Sequence, residues 1–213
     1  LASILAEGET TITNAAREPE IIDLQKFLNR MGANVVGAGT DEIHIKGVKT
    51  LRDVSYNIMP DRIEAGSFLS FVAATKGNAI LENVEPNHIR PIISKLEEAE
   101  CKLEVEKNTI KIIAPKKLKA VDIKTMPYPG FPTDMQSVMA STFTIAKGTT
   151  IIVENIFENR YKYVQELNKM GAKITVEGKS AIIRGVRKLY GATVKATDLR
   201  GGAALVLAGL IEK

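Results

Sequence analysis

The residues best suited to chemistry are one aspartate and two arginines, each at a predicted junction between a strand and a helix. Asp134 follows a stiff segment, residues 126–133, that holds three of the chain's eight prolines. Arg160 ends the stretch Ile-Phe-Glu-Asn-Arg, and Arg200 ends Thr-Asp-Leu-Arg. Such junctions lie beside helix N-termini, where backbone N–H groups favour anions. Because a carboxylate can act as a base and arginines can hold a carboxylate or phosphate, this set suits a transferase acting on anionic substrates.

Ordinary structural roles are the alternative for the same three residues. Asp134 could cap the helix that follows it, because aspartate is a favoured N-cap residue. Arg160 could pair with Glu158, and Arg200 with Asp198, which would make two surface salt bridges. The spacing of the residues by itself leaves both interpretations open.

The other residues that often carry chemistry favour structural roles. A single cysteine, Cys101, and two histidines cannot supply a metal-ligand set. Cys101 lies just past a predicted helix end and is expected to pack as a small apolar residue. Gly37 and Gly39 resemble the start of a dinucleotide-binding fingerprint, but Glu42 replaces its third glycine. No metal and no cofactor is therefore expected.

Composition and charge restrict the class of protein. The 213 residues are 45% hydrophobic and 25% charged, and the net charge of +4 is spread along the chain. That surplus is too small to indicate a nucleic-acid or membrane partner. The longest apolar run, residues 203–211, is far shorter than the roughly 20 residues that span a bilayer. With one cysteine and no secretory signal pattern, a cytoplasmic protein is expected.

The elements that must position the candidate residues recur along the chain. Gly8, Gly77 and Gly148 mark three similar turns, 69 and 71 residues apart. Each turn precedes a strand-like stretch, then a helix with an apolar stripe, then a hairpin. A third strand and a second helix close each unit, so the predicted fold is α/β, built from β-α-β-β-β-α repeats of about 70 residues. The second helices are expected to start near Asp61, Asp134 and Asp198.

Both ends of the chain interrupt this pattern. Residues 1–6 match the end of a second helix, and residues 212–213 fall where another unit would begin. We therefore expect these residues to be a fragment of a longer protein.

Four motifs in the chain carry a resemblance to a known family. They are Ala-Ala-Arg-Glu-Pro-Glu at 15–20, Phe-Pro-Thr-Asp-Met-Gln at 131–136, Ile-Phe-Glu-Asn-Arg at 156–160 and Ala-Thr-Asp-Leu-Arg at 196–200. Through them the chain resembles the UDP-N-acetylglucosamine 1-carboxyvinyltransferase family of enolpyruvyl transferases over essentially all 213 residues. The resemblance implies two domains, each an inside-out α/β barrel of three repeats, with the active site in the cleft between them. It makes residues 1–58 the incomplete last repeat of the first domain and residues 59–213 most of the second.

The same resemblance assigns roles to five residues. Asp134 resembles the carboxylate that holds and deprotonates the 3-hydroxyl of UDP-N-acetylglucosamine, and Ile156 resembles the residue whose backbone contacts this nucleotide sugar. Arg160 and Arg200 are similar to arginines at the phosphoenolpyruvate end of the site, and Asp198 resembles the acidic residue beside them. The implied reaction transfers the enolpyruvyl group from phosphoenolpyruvate to that hydroxyl. This is the first committed step of peptidoglycan synthesis, which serves cell-wall biogenesis, cell shape and cell division.

Part of the family's site is expected outside these 213 residues. The family's general acid, a cysteine or aspartate on a mobile loop, matches a position before Leu1, and Cys101 does not stand in its sequence context. The missing N-terminal part of the same chain is therefore expected to complete the site. We expect the 213 residues alone to be inactive.

Two other functions compete with this one. A 5-enolpyruvylshikimate-3-phosphate synthase would share the fold but act on a small phosphorylated ring, for which more cationic residues are expected. The run Ile-Phe-Glu-Asn-Arg favours the nucleotide-sugar enzyme. A non-catalytic repeat scaffold, such as a clamp around DNA, would need a basic stripe on its inner helices. The predicted helix 89–100 instead ends with acidic residues.

Overall fold

A computed structural model of the chain describes residues 1–211. The chain forms two compact units. Of the described residues, 1–60 and 127–129 make up the first, and 61–126 together with 130–211 make up the second. Residues 212–213, where the sequence predicts the start of another unit, lie outside the described residues.

The first unit is an antiparallel sheet with a helix packed against it. Its elements are β1 (Glu9–Thr13), α1 (Pro19–Arg30), β2 (Asn34–Val36) and β3 (Glu42–Lys46). β3 lies between the other two strands, with Ile12 opposite Ile43 and Val35 opposite Ile45. The alternating sequence of β3 turns Ile43 and Ile45 to one face, where they form a core with Leu28 of α1. The predicted apolar stripe of α1 is therefore the face that packs.

The second unit contains two sheets and five helices within its described residues. Its elements are α2 (Arg62–Ala74), β4 (Asn78–Glu82), α3 (Arg90–Glu98), β5 (Lys102–Val105), β6 (Thr109–Ile113), β7 (Ile123–Lys124), α4 (Gln136–Phe143), β8 (Thr149–Val153), α5 (Tyr163–Lys169), β9 (Lys173–Glu177), β10 (Ser180–Arg184) and α6 (Leu199–Ile211). One sheet has the antiparallel order β4-β6-β5, and the other has the order β7-β8-β10-β9. In the second sheet only β7 runs parallel to its neighbour, β8. A strand, a helix and a hairpin thus follow one another three times along the chain.

The third strand of the predicted repeat forms once. β7 pairs with β8, the first strand of the next sheet, so that Ile123 lies opposite Ile152. Residues 47–60 and 185–198, which follow the other two hairpins, contain no strand. The reason is that β7 takes its hydrogen-bonding partner from the sheet that follows it. Residues 47–60 end the first unit, and residues 185–198 follow the last sheet of the second. Within residues 1–211, therefore, neither segment has a later sheet of its own unit to pair with.

Helix α4 lies at the centre of the second unit. All eight of its residues are buried, and it packs against α2 and α6. Apart from Gln136, its residues are small or apolar on every side, as expected of a helix surrounded by protein. The approach of α2 depends on Gly66, because a Cβ there would come within 2.7 Å of Ile92 and 3.1 Å of the Met135 sulfur. Since Met135 follows Asp134, this close packing also fixes the turn that carries the candidate base.

The ends of α1, α3 and α5 share a left-handed backbone residue. These residues are Gly32 (φ 99°), Glu100 (φ 73°) and Gly171 (φ 89°). Each allows the next N–H to reach a carbonyl in the last turn of its helix, which is a common way for a helix to end. Left-handed backbone costs a glycine little but strains a residue with a Cβ, so Glu100 is the unfavourable member of the set.

Cys101 is buried just beyond α3, at 5% exposure. Burial raises the pKa of its thiol to about 11, so the thiol is protonated at neutral pH and a poor nucleophile. Nowhere among residues 1–211 do three His, Cys, Asp or Glu side chains gather as a metal ion would require. No helix in the same range is long and apolar enough to cross a membrane.

Candidate active site

Asp134 is the centre of a cluster with two arginines. Nη2 of Arg160 donates to Oδ1 of Asp134 at 2.6 Å, and Nη2 of Arg200 donates to Oδ2 at 2.7 Å. The three side chains are between 23% and 37% exposed, so a ligand can reach the cluster from solvent. The structure therefore brings these three predicted residues together, with one carboxylate neutralising part of a doubly positive pair.

The alternative roles, a helix cap at Asp134 and ion pairs of the arginines with Glu158 and Asp198, do not occur in the structure. Asp134 lies inside a short 3-10 turn, Thr133–Met135, and α4 starts after Met135 with no capping hydrogen bond from a side chain. Asp198 is occupied elsewhere, because its Oδ1 accepts the N–H of Gly201 at 2.7 Å and so caps α6. The partner of Arg160 is Asp134 and not the nearby Glu158.

Three junctions supply the cluster. Asp134 comes from the turn before α4, Arg160 from the segment between β8 and α5, and Arg200 from the first turn of α6. The hydroxyl of Ser137 in α4 donates to the carbonyl of Arg200 at 2.8 Å, which links the two helices beside the cluster. Each functional side chain is thus anchored at the start of a helix or in the connection leading to one.

The chain before Arg200 is held by a glutamate of α5. Oε1 of Glu166 accepts from Nζ of Lys169 at 2.7 Å, and Oε2 accepts the N–H of Lys195 at 3.0 Å. These hydrogen bonds, that of Lys169 first, lower the pKa of Glu166. Because Lys195 lies three residues before Asp198, Glu166 fixes the strand-free segment that leads into α6.

Ile156 lies on the segment that ends at Arg160. Its N–H is committed to Oε1 of Glu154 at 2.8 Å, and its side chain is 37% exposed. The ring of Phe157 is about half exposed, and the guanidinium of Arg160 lies over it at 5.1 Å from the centroid. This cation–π contact helps to orient Arg160 towards Asp134.

Sequence reasoning missed Glu154. This residue follows β8 directly and is 2% exposed. Its carboxylate accepts from the hydroxyls of Thr125 at 2.9 Å and Thr133 at 2.8 Å. It also accepts the N–H groups of Ile156 at 2.8 Å and Phe157 at 3.1 Å. The one available signal was an acidic residue immediately after an apolar strand, and such a signal does not reveal burial.

A buried tyrosine supports the base of α4. The hydroxyl of Tyr163 donates to Oε1 of Gln136 at 3.0 Å, and both side chains are essentially inaccessible. Burial raises the pKa of Tyr163 well above its ordinary value, so this hydroxyl remains a neutral donor. The pair joins the first turn of α5 to the first turn of α4, close to Asp134 in sequence.

A cleft lies beside the Arg160 segment. It has a volume of about 820 Å³ and is lined mainly by residues 154–162 and the hairpin turn at 176–179. A similar cleft of about 590 Å³ lies between the corresponding elements one sheet earlier, lined by residues at 85–97 and 105–107. Because the cleft recurs, it comes from the strand–helix–hairpin arrangement. The cluster around Asp134 is what distinguishes the third sheet.

The fold is that of the enolpyruvyl transferases. The chain is similar to the crystal structure of the enolpyruvyl transferase NikO from Streptomyces tendae, with a TM-score of 0.83 and 24% identity over 99% of this chain and 51% of that one. It is also similar to EPSP synthase from Acinetobacter baumannii, with a TM-score of 0.72 and 22% identity over 100% of this chain and 52% of that one. At these identities the likeness is one of fold, and it confirms the predicted mixed α/β class.

Sequence comparison identifies the family. The profile of the family EPSP synthase (3-phosphoshikimate 1-carboxyvinyltransferase) matches residues 1–213. The chain belongs to this family, which confirms the predicted membership in the enolpyruvyl transferases.

Its curated relatives carry a narrower name. UDP-N-acetylglucosamine 1-carboxyvinyltransferase 1 of Caldanaerobacter subterraneus subsp. tengcongensis is 57% identical over 211 residues. UDP-N-acetylglucosamine 1-carboxyvinyltransferase 2 of Carboxydothermus hydrogenoformans is 53% identical over 213 residues. Both matches cover 99% of this chain and 51% of the relative, so the chain spans about half the length of these proteins.

Proposed function

We propose that the chain forms the base-bearing part of a UDP-N-acetylglucosamine 1-carboxyvinyltransferase. This enzyme would move the enolpyruvyl group of phosphoenolpyruvate to the 3-hydroxyl of UDP-N-acetylglucosamine, a cytoplasmic step of peptidoglycan synthesis. The observation that carries the proposal is the pairing of both Asp134 oxygens with Arg160 and Arg200. Support also comes from relatives with this name at 57% and 53% identity.

Asp134 is the proposed base, and the two arginines are the proposed anion site. The base accepts the proton of the sugar hydroxyl, and the freed oxygen bonds to C2 of phosphoenolpyruvate while C3 takes a proton from an acid. The tetrahedral intermediate then loses a proton from C3 and inorganic phosphate from C2, which restores the double bond. Arg160 and Arg200 balance the charge of the phosphate and carboxylate throughout.

The pairing seen in the structure implies an exchange of partners. A guanidinium that donates to phosphoenolpyruvate weakens its hold on Asp134, because both acceptors compete for the same N–H groups. We propose that the anion takes over donors of Arg160 and Arg200, and that Asp134 is then available to the sugar hydroxyl. Substrate binding and activation of the base are coupled in this scheme.

Two further residues, Ile156 and Asp198, have proposed roles in the site. The N–H of Ile156 already donates to Glu154, so the backbone group of Ile156 that can bind a ligand is its carbonyl oxygen. Asp198 caps α6 and thereby orients the first turn that carries Arg200. We assign Ile156 to direct binding of the nucleotide sugar and Asp198 to the acidic position beside the arginines.

We further propose the domain arrangement implied by the family. Residues 1–58 would be the last repeat of one inside-out barrel, and residues 59–213 most of the second. The change of compact unit after Pro60 supports this boundary. Further residues of the site, the general acid included, would come from an N-terminal part of the enzyme outside these 213 residues. Buried Cys101, with its thiol pKa of about 11, is unsuited to that role.

A chimeric enzyme tests the proposal. The matching half of the Caldanaerobacter relative is replaced by this chain, and phosphate release is measured with UDP-N-acetylglucosamine or shikimate 3-phosphate as the acceptor. We expect turnover with the nucleotide sugar only, and a loss of about 10²- to 10⁴-fold with Asp134→Ala, since general base catalysis contributes that much. Turnover with shikimate 3-phosphate would favour the synthase alternative, and no binding of either acceptor would favour a scaffold.

The chain alone provides the second test. We expect it to be inactive, and we expect calorimetric titration with UDP-N-acetylglucosamine to give weak binding that Asp134→Ala removes. Exposed Asp53, in the first compact unit, provides the control, because Asp53→Ala makes the same change in net charge and leaves every residue of the cluster in place. Product formation by the isolated chain would contradict the proposal that residues outside these 213 complete the site.

A further inference from the structure

Glu154 is a buried carboxylate to which the reaction assigns no role. Its side chain is one of the least exposed acidic groups in the second unit, at 2%. Oε1 accepts from the hydroxyl of Thr125 and from the N–H groups of Ile156 and Phe157, while Oε2 accepts from the hydroxyl of Thr133. A buried carboxylate is costly unless its lone pairs are used, and four donors satisfy it here.

The four donors come from three different segments. Thr125 follows β7, Thr133 opens the turn that contains Asp134, and the two N–H groups begin the segment that ends at Arg160. The carboxylate of Glu154 therefore links Ile156 and Phe157 to Thr133, which lies 21 positions before Glu154 in the sequence. Apart from the ion pair itself, this is a polar link between the two sides of the Asp134–Arg160 contact.

We propose that Glu154 is a positioning residue for enolpyruvyl transfer, which sets the placement of Asp134 relative to Ile156 and Arg160. This inference rests on the proposed function. Glu154 is not placed at the reacting atoms in this proposal, because it is 2% exposed and both of its carboxylate oxygens accept from protein donors. Its effect on the reaction comes through geometry, and errors of about 1 Å in such geometry can cost about 10²-fold in rate.

Two threonine variants separate positioning from stability. Thr133→Val removes the one donor on the Asp134 side and keeps the three bonds to Oε1. Thr125→Val also removes one hydroxyl donor, but on the β7 side. It additionally deprives the N–H of Asn155 of its acceptor, Oγ1 of Thr125 at 2.9 Å. Thr125→Val is therefore expected to lower the melting temperature more, and Thr133→Val to disturb the site more.

Replacing the glutamate itself supplies a rescue test. In Glu154→Gln the amide oxygen can keep the bonds from Ile156 and Phe157, and the amide nitrogen can donate to the Thr133 hydroxyl, which rotates to accept. Glu154→Ala keeps none of these bonds. We expect the glutamine variant to retain kcat within about 5-fold and the alanine variant to lose at least about 100-fold, if it folds.

The experiment uses two readouts. In the chimeric enzyme, Thr133→Val should lower kcat by about 10- to 100-fold while KM stays within about 2-fold, and Thr125→Val should change kcat by less than about 3-fold. In the 213-residue chain, NMR should show faster exchange of the Arg160 guanidinium protons in Thr133→Val than in Thr125→Val. Together these results would support positioning by Glu154.

The outcomes distinguish this inference from the function on which it rests. A wild-type chimera that transfers no enolpyruvyl group overturns the proposed function and the inference with it. An active chimera in which Thr133→Val behaves like Thr125→Val, with unchanged Arg160 proton exchange, overturns the positioning role alone. Loss of kcat that merely follows the loss of melting temperature across the four variants also overturns it.

Discussion

Replacing Asp134 by Asn should tighten the binding of inorganic phosphate, although this residue is the proposed base. In the structure its carboxylate holds one N–H of Arg160 at 2.6 Å and one of Arg200 at 2.7 Å. The three side chains together carry one net positive charge, and the asparagine variant would carry two. An anion that binds the arginines would also no longer compete with a carboxylate for their N–H groups.

The expected size of this effect follows from the distances. We take about 5 Å as the separation between a phosphate on the two guanidinium groups and the Asp134 carboxylate, which is about twice the length of a charge-assisted hydrogen bond. At that separation two unit charges repel by about 0.8 kcal/mol in water and about 3 kcal/mol at an effective dielectric constant near 20. The side chains are 23% to 37% exposed, so the value lies towards the lower end, at about 1 to 1.5 kcal/mol. Phosphate should therefore bind about 5- to 12-fold more tightly.

Titration of the chain with phosphate, followed by calorimetry or NMR, measures this change. Asp53→Asn provides the control, because it alters net charge equally and should leave phosphate affinity nearly unchanged. The difference between the variants should shrink at high salt, where exposed charges are screened. If Asp134→Asn binds phosphate no more tightly than the wild-type chain, the arginine pair is not an anion site held in check by Asp134.

Three further outcomes are expected from the same structure. Glu100→Gly should raise the free energy of unfolding by about 1 kcal/mol, because it relieves a φ of 73°, whereas Glu98→Gly within α3 should lower it by about 1 kcal/mol in the same urea titrations. Cys101, whose thiol pKa burial raises to about 11, should react with a disulfide reagent at pH 8 at least about 100-fold more slowly in the folded chain than in urea; rapid labelling would contradict its burial. Glu166 has a lowered pKa, so its stabilising contribution is complete above the pKa of the unfolded acid and is lost as the pH falls through the lower folded value. The protection factor for amide exchange at Lys195 should therefore fall in acid. In Glu166→Gln this protection factor should no longer change with pH.

The positions of the site residues could be predicted, but their partners could not. Asp134, Arg160 and Arg200 each lie at or near the start of a helix, and helix starts can be recognised from apolar periodicity and capping residues. Which acid an arginine contacts depends on distances between segments far apart in the chain. Glu158 is the nearer acid to Arg160 in sequence, yet the ion pair spans 26 positions to Asp134.

Burial limited prediction in a second way. Glu154 follows an apolar strand, and an acidic residue there is usually the first solvated residue of a loop. Its proposed role depends on two hydroxyls and two N–H groups that only the packed structure brings together. The third strand of the repeat failed as a prediction for a related reason, since β7 exists only where a following sheet offers it an edge.

The three aspartates near helix starts show how one copy becomes available for chemistry. Asp61 accepts the N–H groups of Ile63 and Glu64 with one oxygen, and Asp198 accepts that of Gly201, so both are engaged as N-caps. Asp134 cannot do the same, because the 3-10 turn Thr133–Met135 already contains it and Pro132 occupies the capping position. The proline-rich approach thus moves this aspartate past the cap, and its carboxylate is left to bind arginines. A repeat that keeps a residue type but removes its structural hydrogen bond in one copy is a place to look for function, and here that copy is the proposed base.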